Sequence, residues 1–365
     1  MVLAFDCTDC FNAHRRSAGA APGGTMTGDN RFRSMLGASR GLTTISVACV
    51  LLFVCSALFA SSSVSRGALL GMLPFASVLA IVALGQTLVI QQAGIDLSVA
   101  GAVSVVVVIT THTAQGQSDR LLGAVLFALG VVVAAGIANG VLVAVLGLNP
   151  IVATLGTNTL LTAVVFAVSD GIPRSTTERM AEIADGRTLG IPNAVYFAVG
   201  ITIITTTLVK TTVFGRHFEA IGANPLAMWT TGLRTGPHRA GAYVWAQVHY
   251  WLGGILLAGI VTQPTAFQGR AYLLPSVAAV VLGGTSLAGG RGNLVATVIA
   301  ALFLTQLQSF VLALGIGFAY RTLIEAAALA VGIALYTVNW GALFANRRER
   351  TPSEPLAGPM QPSVP

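Results

Sequence analysis

One stretch decides the fold class: Val281-Leu-Gly-Gly-Thr-Ser-Leu-Ala-Gly-Gly-Arg-Gly-Asn-Leu-Val-Ala-Thr-Val-Ile-Ala-Ala-Leu302, in which apolar runs flank a glycine-rich segment with a single arginine. A phosphate-binding Walker loop would need Gly-Lys-Ser/Thr at the start of a helix, and the one lysine of the chain is Lys210. The segment is instead typical of a turn or broken helix between two helices that enter a bilayer. We therefore expect close contacts or unusual backbone conformations at Gly283, Gly284, Gly289, Gly290 and Gly292. Gly94 and Arg291 are further predicted hinge residues, and Arg291 is expected at the cytoplasmic interface.

The composition excludes a water-soluble globule. Of the 365 residues, 54% are hydrophobic and 9% are charged, whereas soluble domains carry about 25% charged residues. The 41 glycines suit a membrane protein, because small residues let helices approach closely. The apolar runs lack the two-residue alternation of an outer-membrane barrel, so we predict an all-α integral membrane protein.

The lengths of the apolar runs predict the number of spans, because a helix needs about 20 apolar residues to cross a bilayer. Residues 121–169 contain no charged residue and are too long for one helix, but the sequence Gly-Leu-Asn-Pro at 147–150 supplies a break. We predict about ten transmembrane helices, some of them broken or hinged, at 42–61, 68–91, 97–114, 121–146, 150–169, 193–210, 240–261, 273–289, 293–314 and 322–341.

Charge predicts the orientation. With ten spans and a cytoplasmic N-terminus, thirteen of the 20 Lys and Arg residues fall in cytoplasmic segments and seven in outer segments, as the positive-inside rule requires. We expect an inner-membrane protein with both termini in the cytoplasm. Short helices are expected at 177–184 in an outer loop and at 225–231 in an inner loop. The predicted divisions are a disordered cytoplasmic tail over 1–40, a transmembrane domain over 41–345 with a cytoplasmic loop over 211–239, and a cytoplasmic tail over 346–365.

The polar N-terminal region contains no pattern that predicts a catalytic or metal-binding site. Cys7 and Cys10 form a C-x-x-C pair, but the sequence shows no second ligand pair that would complete a metal site. Residues 1–40 contain no apolar h-region, so we expect no cleavable signal peptide. Topology explains the net charge of +7 better than nucleic-acid binding does. We expect no metal and no cofactor.

Asp96 is the most informative single residue, since a carboxylate at membrane depth is costly unless it faces a cavity or a partner. One interpretation is a cap, in which Asp96 accepts the free N–H groups at the start of the third helix. The other is a direct role in substrate passage, and the two are compatible. We interpret His112 and His249 as residues of the membrane interface, because neither has a metal-ligating neighbour in sequence.

The sequence holds no recognisable catalytic set. It shows no Ser–His–Asp order in suitable elements, no H-E-x-x-H and no paired carboxylates. It also lacks an ATP-binding motif. We therefore expect a protein that is not an enzyme and does not hydrolyse nucleotide itself.

Five stretches, in order between about residues 70 and 340, resemble one family: Gly94-Ile-Asp-Leu-Ser-Val99, Asn139-Gly-Val-Leu-Val143, Pro150-Ile-Val-Ala-Thr-Leu-Gly156, Phe214-Gly-Arg-His-Phe-Glu-Ala-Ile-Gly-Ala-Asn224 and Ala279-Val-Val-Leu-Gly-Gly-Thr-Ser-Leu-Ala-Gly-Gly-Arg-Gly292. They are similar to the permeases of ribose-, xylose- and arabinose-type sugar ABC importers. The wider superfamily includes branched-chain amino acid permeases, but the first and last stretches are more similar to the sugar branch. Gln91-Gln92-Ala93 departs from the family's pattern, which usually has a small or apolar residue and a glycine pair there.

The resemblance implies a transport subunit with several partners. Two permease subunits, identical or different, would form the pathway across the lipid bilayer. A separate ATP-binding subunit would dock on the cytoplasmic face, and a periplasmic or lipoprotein binding protein would deliver the sugar. Loop 211–239 matches the ATPase-contacting segment, although an ordinary solvated connection is the alternative interpretation. Its predicted coupling residues are Gly215, Arg216, Glu219, Gly222, Asn224 and Gly232.

The predicted function is ATP-driven import of a monosaccharide, either a pentose or a hexose. Sugar hydroxyls need hydrogen-bond partners once water is removed, so polar side chains within the spans are candidates for the pathway. These candidates are Gln86, Asp96, Asn139, Thr154, Asn158, Gln306 and Gln308. Alternative solutes are a nucleoside, an autoinducer furanose or a branched-chain amino acid. An ion-coupled secondary transporter is a further alternative, but Asp96 and Glu325 lie in different predicted helices without an evident partner.

Overall fold

A computed structural model describes residues 28–317 and five isolated positions between 320 and 330, with side-chain environments from residue 41 onward. The predicted tenth span at 322–341, Glu325 and the tail over 346–365 lie outside the continuously described part. Residues 28–40 are helical, which differs from the disordered tail predicted over residues 1–40; residues 1–27 are not among the described residues.

Helices make up most of the described chain. They are α1 (Gly28–Phe59), α2 (Arg66–Gln91), α3 (Val99–Ala114), α4 (Leu121–Gly140), α5 (Pro150–Ser169), α6 (Glu178–Asp185), α7 (Asn193–Thr211), α8 (Val213–Ala223), α9 (Pro225–Thr230), α10 (Thr235–Ile260), α11 (Arg270–Leu282) and α12 (Leu294–Ala313). A 3-10 turn, Ser61–Val64, precedes α2, and a π-helical turn, Val141–Val145, extends α4. The strands β1 (Arg187–Thr188) and β2 (Ile191–Pro192) form an antiparallel hairpin in which Arg187 pairs with Pro192.

The predicted all-α membrane architecture is confirmed. Within the described residues, 6 helical segments are long and apolar enough to cross a bilayer: Gly41–Phe59, α2, α4 with its π-helical turn, α5, α7 and α12. The apolar helices α3 and α11 are shorter. Helix α10 has 26 residues but also carries polar side chains such as Gln247 and His249. Each of the nine predicted spans up to residue 314 therefore coincides with a helix.

The break predicted at 147–150 is also confirmed. Gly147 adopts a positive φ of 71°, and the Asn149 side chain caps α5 by accepting a hydrogen bond from Ile151 N at 2.9 Å. Pro150 occupies the first turn of α5, where its missing N–H costs nothing. The uncharged run over 121–169 therefore becomes two antiparallel spans.

Three other boundaries differ from or refine the prediction. The span predicted at 273–289 ends at Leu282, because the backbone turns at Gly284, where φ is 81°. Loop 211–239 contains α8 and α9, and its last five residues already belong to α10. The short helix expected at 177–184 is α6, which Thr177 caps by accepting from Met180 N at 3.2 Å.

Helix α3 lies at the centre of the packed helices. Fourteen of its 16 residues are buried, and it contacts α4, α5, α10 and α11. Helix α2 packs against α10, α11, α12 and α7. Since lipid is as apolar as the side chains, this packing depends on close contact and hydrogen bonds rather than on a hydrophobic gain.

The connections between helices gather at two opposite ends of this bundle. At one end, which we call the hinge end, the segments 92–98 and 283–293 lie beside each other, and Gly290 N donates to Gln91 O at 2.9 Å. At the other end, His112 Nε2 lies 3.0 Å from Ile172 O. The interfacial position predicted for His112 is consistent with this contact. The same prediction for His249 is wrong, because its side chain is buried within α10 and contacts Thr205 Oγ1 at 2.9 Å.

Candidate functional site

Helices α2 and α11 end in the same hydrogen-bonded turn. At the end of α2, Ala93 N donates to Ile90 O at 2.9 Å and Gly94 N donates to Val89 O at 3.1 Å. This pair of bonds defines a Schellman motif, which requires a left-handed residue just after the helix. That residue is Ala93, with φ of 57°.

The end of α11 repeats the motif with a glycine in the left-handed position. Gly284 N donates to Val281 O at 2.9 Å and Thr285 N donates to Val280 O at 3.2 Å. Ala93 is thus the structural equivalent of Gly284. Left-handed backbone costs an L-residue roughly 1–2 kcal/mol that glycine does not incur, so Ala93 is a strained position.

A buried polar cluster lies directly after the first of these turns. Asp96 is fully buried, and its Oδ1 accepts from Ser98 N at 2.9 Å and from the Ser98 hydroxyl. Its Oδ2 accepts from Gln247 Nε2 of α10 at 3.3 Å. The carboxylate therefore holds the turn that leads into α3 and ties it to α10, which is capping geometry of the kind expected for aspartate before a helix.

Asn139 and Thr157 extend the cluster to two further helices. Asn139 Nδ2 of α4 donates to Ser98 Oγ at 3.0 Å, and Thr157 of α5 donates to Asn139 Oδ1 at 2.6 Å. Gln247 Nε2 also donates to Ser98 Oγ, at 2.8 Å. Ser98 is consequently the common partner of Asp96 in the turn and of side chains from two helices, α4 and α10.

Thr154 and Asn158 bind the backbone of the same region. Thr154 Oγ1 accepts from Leu97 N at 2.9 Å, and Asn158 Oδ1 accepts from Gly101 N at 2.8 Å. Both are on α5, one turn apart. They satisfy N–H groups at the start of α3 that have no partner within the helix.

Gln86 completes the cluster from α2. With its amide oriented to satisfy every neighbour, Nε2 donates to Tyr250 Oη at 2.6 Å and to Asp96 O at 3.2 Å, while Oε1 accepts from Asp96 N at 3.2 Å. Five of the seven predicted pathway residues thus come together: Gln86, Asp96, Asn139, Thr154 and Asn158.

The other two predicted pathway residues lie on α12, away from this cluster. Gln306 is buried and donates to Ser56 Oγ of α1 at 3.0 Å. Gln308, two residues further along, lines a cavity between α2, α11 and α12. The structure therefore divides the predicted pathway residues among three places.

Loop 211–239 packs against both turns at the hinge end. Gln92 Nε2 donates to Phe218 O of α8 at 2.8 Å. Gly222 is buried so closely that a Cβ at this position would overlap Gln91 O. A Cβ at Gly290 would lie 2.7 Å from the Cα of Ala223. Helix α8 is thus held between the end of α2 and the glycine-rich segment that follows α11.

Most of the predicted coupling residues stabilise the conformation of loop 211–239 through local contacts. Arg216 Nη1 donates to Thr211 O at 2.8 Å, and Glu219 forms an ion pair with Lys210. Asn224 caps α9 by accepting from Ala227 N at 3.0 Å. Gly215 is buried at the start of α8 and Gly232 turns the chain after α9 with φ of 85°.

Helix α9 presents apolar side chains to the outside. None of its residues is buried, and Leu226 and Trp229 are 71% and 65% exposed. Arg216 and Arg234 are exposed nearby in the chain. An exposed apolar surface with basic neighbours is typical of a binding site for another protein.

Sequence reasoning missed three members of these sites. Ser98 stands in the quoted Gly94–Val99 stretch, so its hydroxyl could have been included. Gln247 is a lone amide in an apolar helix, and a polar residue at membrane depth is by itself a signal of an interior position. Gln92 stood out only as a departure from the family's pattern, and its contact with Phe218 could not be predicted because it depends on tertiary packing.

These features define a class of protein: a multi-pass, helical membrane protein whose spans are joined at the hinge end by hydrogen-bonded turns and buried polar side chains, as in transport proteins. The family described as branched-chain amino acid transport system, permease component, matches residues 68–338, and the chain belongs to this family. A permease component is a transport subunit and not itself an enzyme. Such components work with ATP-binding and substrate-binding subunits.

Individual relatives agree with this assignment. A ribose import permease of Escherichia coli K12 is 35% identical over 70% of this chain and 81% of its own length. A galactofuranose transporter permease of the same organism is 34% identical over 66% of this chain and 71% of its own. A probable ABC transporter permease of Sinorhizobium fredii is 29% identical over 87% of this chain and 94% of its own. No solved structure matches the chain.

Proposed function

We propose that the chain is the transmembrane permease subunit of an ATP-driven ABC importer for a monosaccharide, either a pentose or a hexose. The observation that carries this proposal is the similarity to permeases named for ribose and galactofuranose over most of the chain. The protein provides the pathway, and a separate subunit hydrolyses ATP.

The buried charges support a neutral solute. Among the described residues, Asp96 is the one buried carboxylate, and its oxygens are engaged by Ser98 and Gln247. A branched-chain amino acid would need fixed charges opposite its own, and a coupled ion would need a second carboxylate or similar ligand. Sugar hydroxyls need only amides and hydroxyls.

We assign the hinge end to the cytoplasm, in an inner membrane with both termini cytoplasmic. Lys210, Arg216, Arg234, Arg239 and Arg291 all belong to the segments at this end, as the positive-inside rule favours. The transmembrane permease domain then extends over 41–345, and a periplasmic or lipoprotein binding protein delivers the sugar at the opposite end. A second permease subunit, identical or different, completes the pathway.

The ATP-binding subunit docks on α8 and α9 in this proposal. Leu226 and Trp229 of α9 provide the exposed apolar contact. The packing of Gly222 against Gln91 and of Ala223 against Gly290 provides a mechanical connection from the docked subunit to both turns at the hinge end. The cluster around Asp96 fixes the position of the first turn relative to α4, α5 and α10.

The transport proposal is tested by deleting the gene and growing the strain on single monosaccharides, with uptake of the radiolabelled sugar as the direct measurement. We expect loss of growth and uptake for one pentose or hexose, restored by the intact gene. Unchanged uptake of every monosaccharide, together with loss of amino acid or nucleoside uptake, would refute the sugar assignment.

The docking proposal is tested by a matched pair of substitutions. Leu226→Glu places a charge on α9 at the hinge end, whereas Leu189→Glu makes the same change in the β-hairpin loop, where Leu189 is 93% exposed. We expect Leu226→Glu to reduce co-purification of the ATP-binding subunit at least tenfold and Leu189→Glu to leave it unchanged. Equal retention by both variants, at equal membrane abundance, would show that α9 is not the docking site.

A further inference from the structure

Two neighbouring cavities open between α2 and α12, away from the hinge end. The 3-10 turn lines one of them and α11 lines the other. The volumes of the two cavities are about 530 and 260 Å³. Phe75, Thr305 and Gln308 line both cavities, so the two adjoin each other, and we call them together the recess. A volume of this size lies in the range of small-molecule binding sites, roughly 300–1,000 Å³.

The lining of the recess differs from the surrounding apolar surface. Phe75 and Tyr272 contribute aromatic rings, Gln268 and Gln308 contribute amides, and Thr305 contributes a hydroxyl. An aromatic ring offers an apolar flat surface to the C–H face of a sugar ring. Amides and hydroxyls offer both donors and acceptors to its hydroxyl groups.

The depth of the recess also suits a transport site. Phe75 is nine residues beyond Arg66, which places it about 14 Å along α2 at 1.5 Å per residue. Substrate sites of transporters commonly lie near the middle of the bilayer. Phe75 is nevertheless 41% exposed, and an amide within a span, such as that of Gln308, does not face lipid without a cost. We therefore expect the recess to be open to water or a polar solute.

We infer that this recess, and not the polar cluster around Asp96, holds the transported monosaccharide on its way from the binding protein. The inference rests on the proposed function. The side chains of the cluster hydrogen-bond mainly to one another and to backbone, and they line none of the cavities described here. The recess is open, has the volume for a sugar and combines aromatic with polar side chains.

Cysteine labelling tests whether the recess contains water. Gly71 lines it, and a Cβ at Gly71 would meet no atom within 4 Å. Gly200 of α7 has the same open space at a similar distance from its helix start, but has exposed apolar neighbours such as Val199 and Ile203. Each is changed to Cys in a full-length chain whose 4 native cysteines are replaced and which still imports sugar.

An impermeant methanethiosulfonate reagent added from outside should modify Gly71→Cys and not Gly200→Cys, because the reaction needs a hydrated thiolate. Modification of Gly71→Cys should also lower the sugar uptake rate at least tenfold. An unreactive Gly71→Cys, or one whose modification leaves uptake unchanged, would overturn the inference.

A second measurement addresses recognition. Gln308→Leu should reduce uptake at least tenfold at normal membrane abundance, and Gln308→Asn should restore part of the rate. Gln117→Leu, the same change at an exposed residue of the α3–α4 connection, should leave uptake unchanged. Full uptake by Gln308→Leu would overturn the inference, whereas a wild-type protein that imports no monosaccharide would instead refute the proposed function.

Discussion

Gly222→Ala tests the packing between loop 211–239 and the end of α2. The added methyl group would overlap Gln91 O and lie 3.1 Å from Gln92 Nε2. The carbonyl belongs to the backbone and cannot rotate away, so α8 must move outward. Such overpacking costs about 1–3 kcal/mol, and loss of the bond from Gln92 to Phe218 adds about 0.5–1.5 kcal/mol. We therefore expect a loss of about 2–4 kcal/mol in the free energy of unfolding.

Thermal unfolding of the purified protein in detergent measures this loss. At about 2–4 °C per kcal/mol, the unfolding temperature of Gly222→Ala should fall by about 5 °C or more, and uptake should fall at equal membrane abundance. Gly156→Ala is the control, because a Cβ at Gly156 in α5 meets no atom within 4 Å and alanine stabilises a helix by about 0.5–1 kcal/mol over glycine. If Gly222→Ala unfolds at the wild-type temperature or above it, the close packing of α8 on Gln91 is refuted.

Three further predictions concern the two turns. Ala93→Gly removes the strain of a left-handed alanine and should raise the free energy of unfolding by about 1 kcal/mol, which the same melting assay measures; a lower unfolding temperature would contradict the assignment of strain. Asp96→Asn should keep substantial uptake, since asparagine also caps well, whereas Asp96→Leu should reduce the folded amount; loss of uptake in a well-expressed Asn variant would make the charge itself functional. Gly290→Val should abolish uptake because its side chain would meet Ala223, and normal uptake by this variant would exclude close contact there.

The sequence predicted the helices well and the tertiary contacts only in part. Long apolar runs and the Asn-Pro pair at 149–150 fixed most helix boundaries, because these signals are local. The end of α11 was placed too late, since Leu287 and Ala288 continue an apolar pattern although the backbone has already turned at Gly284. The hydropathy of neighbouring residues does not indicate such a turn.

The residues of the candidate site were likewise predicted where the signal is local and missed where it depends on tertiary packing. Asp96 and the polar residues of α4 and α5 could be selected because each is polar within an apolar run. Their common partner Ser98 and the contribution of Gln247 depend on how α3 and α10 pack, which a single sequence does not encode locally. The interfacial position was predicted for His249 for the same reason, because the residues near His249 in sequence do not indicate its contact with Thr205 on α7.

The burial of α3 has a consequence for how the protein can move. Most residues of this helix are β-branched, and Val105, Val106, Val107, Val108 and Ile109 are at most 2% exposed. Valine and isoleucine in a helix already occupy essentially one χ1 rotamer, so their side chains lose little entropy when neighbouring helices close around them. For the same reason they cannot adapt their shape when those neighbours shift. We therefore expect helix α3 to keep its shape, so that any movement of the surrounding helices would be sliding or rocking over its surface.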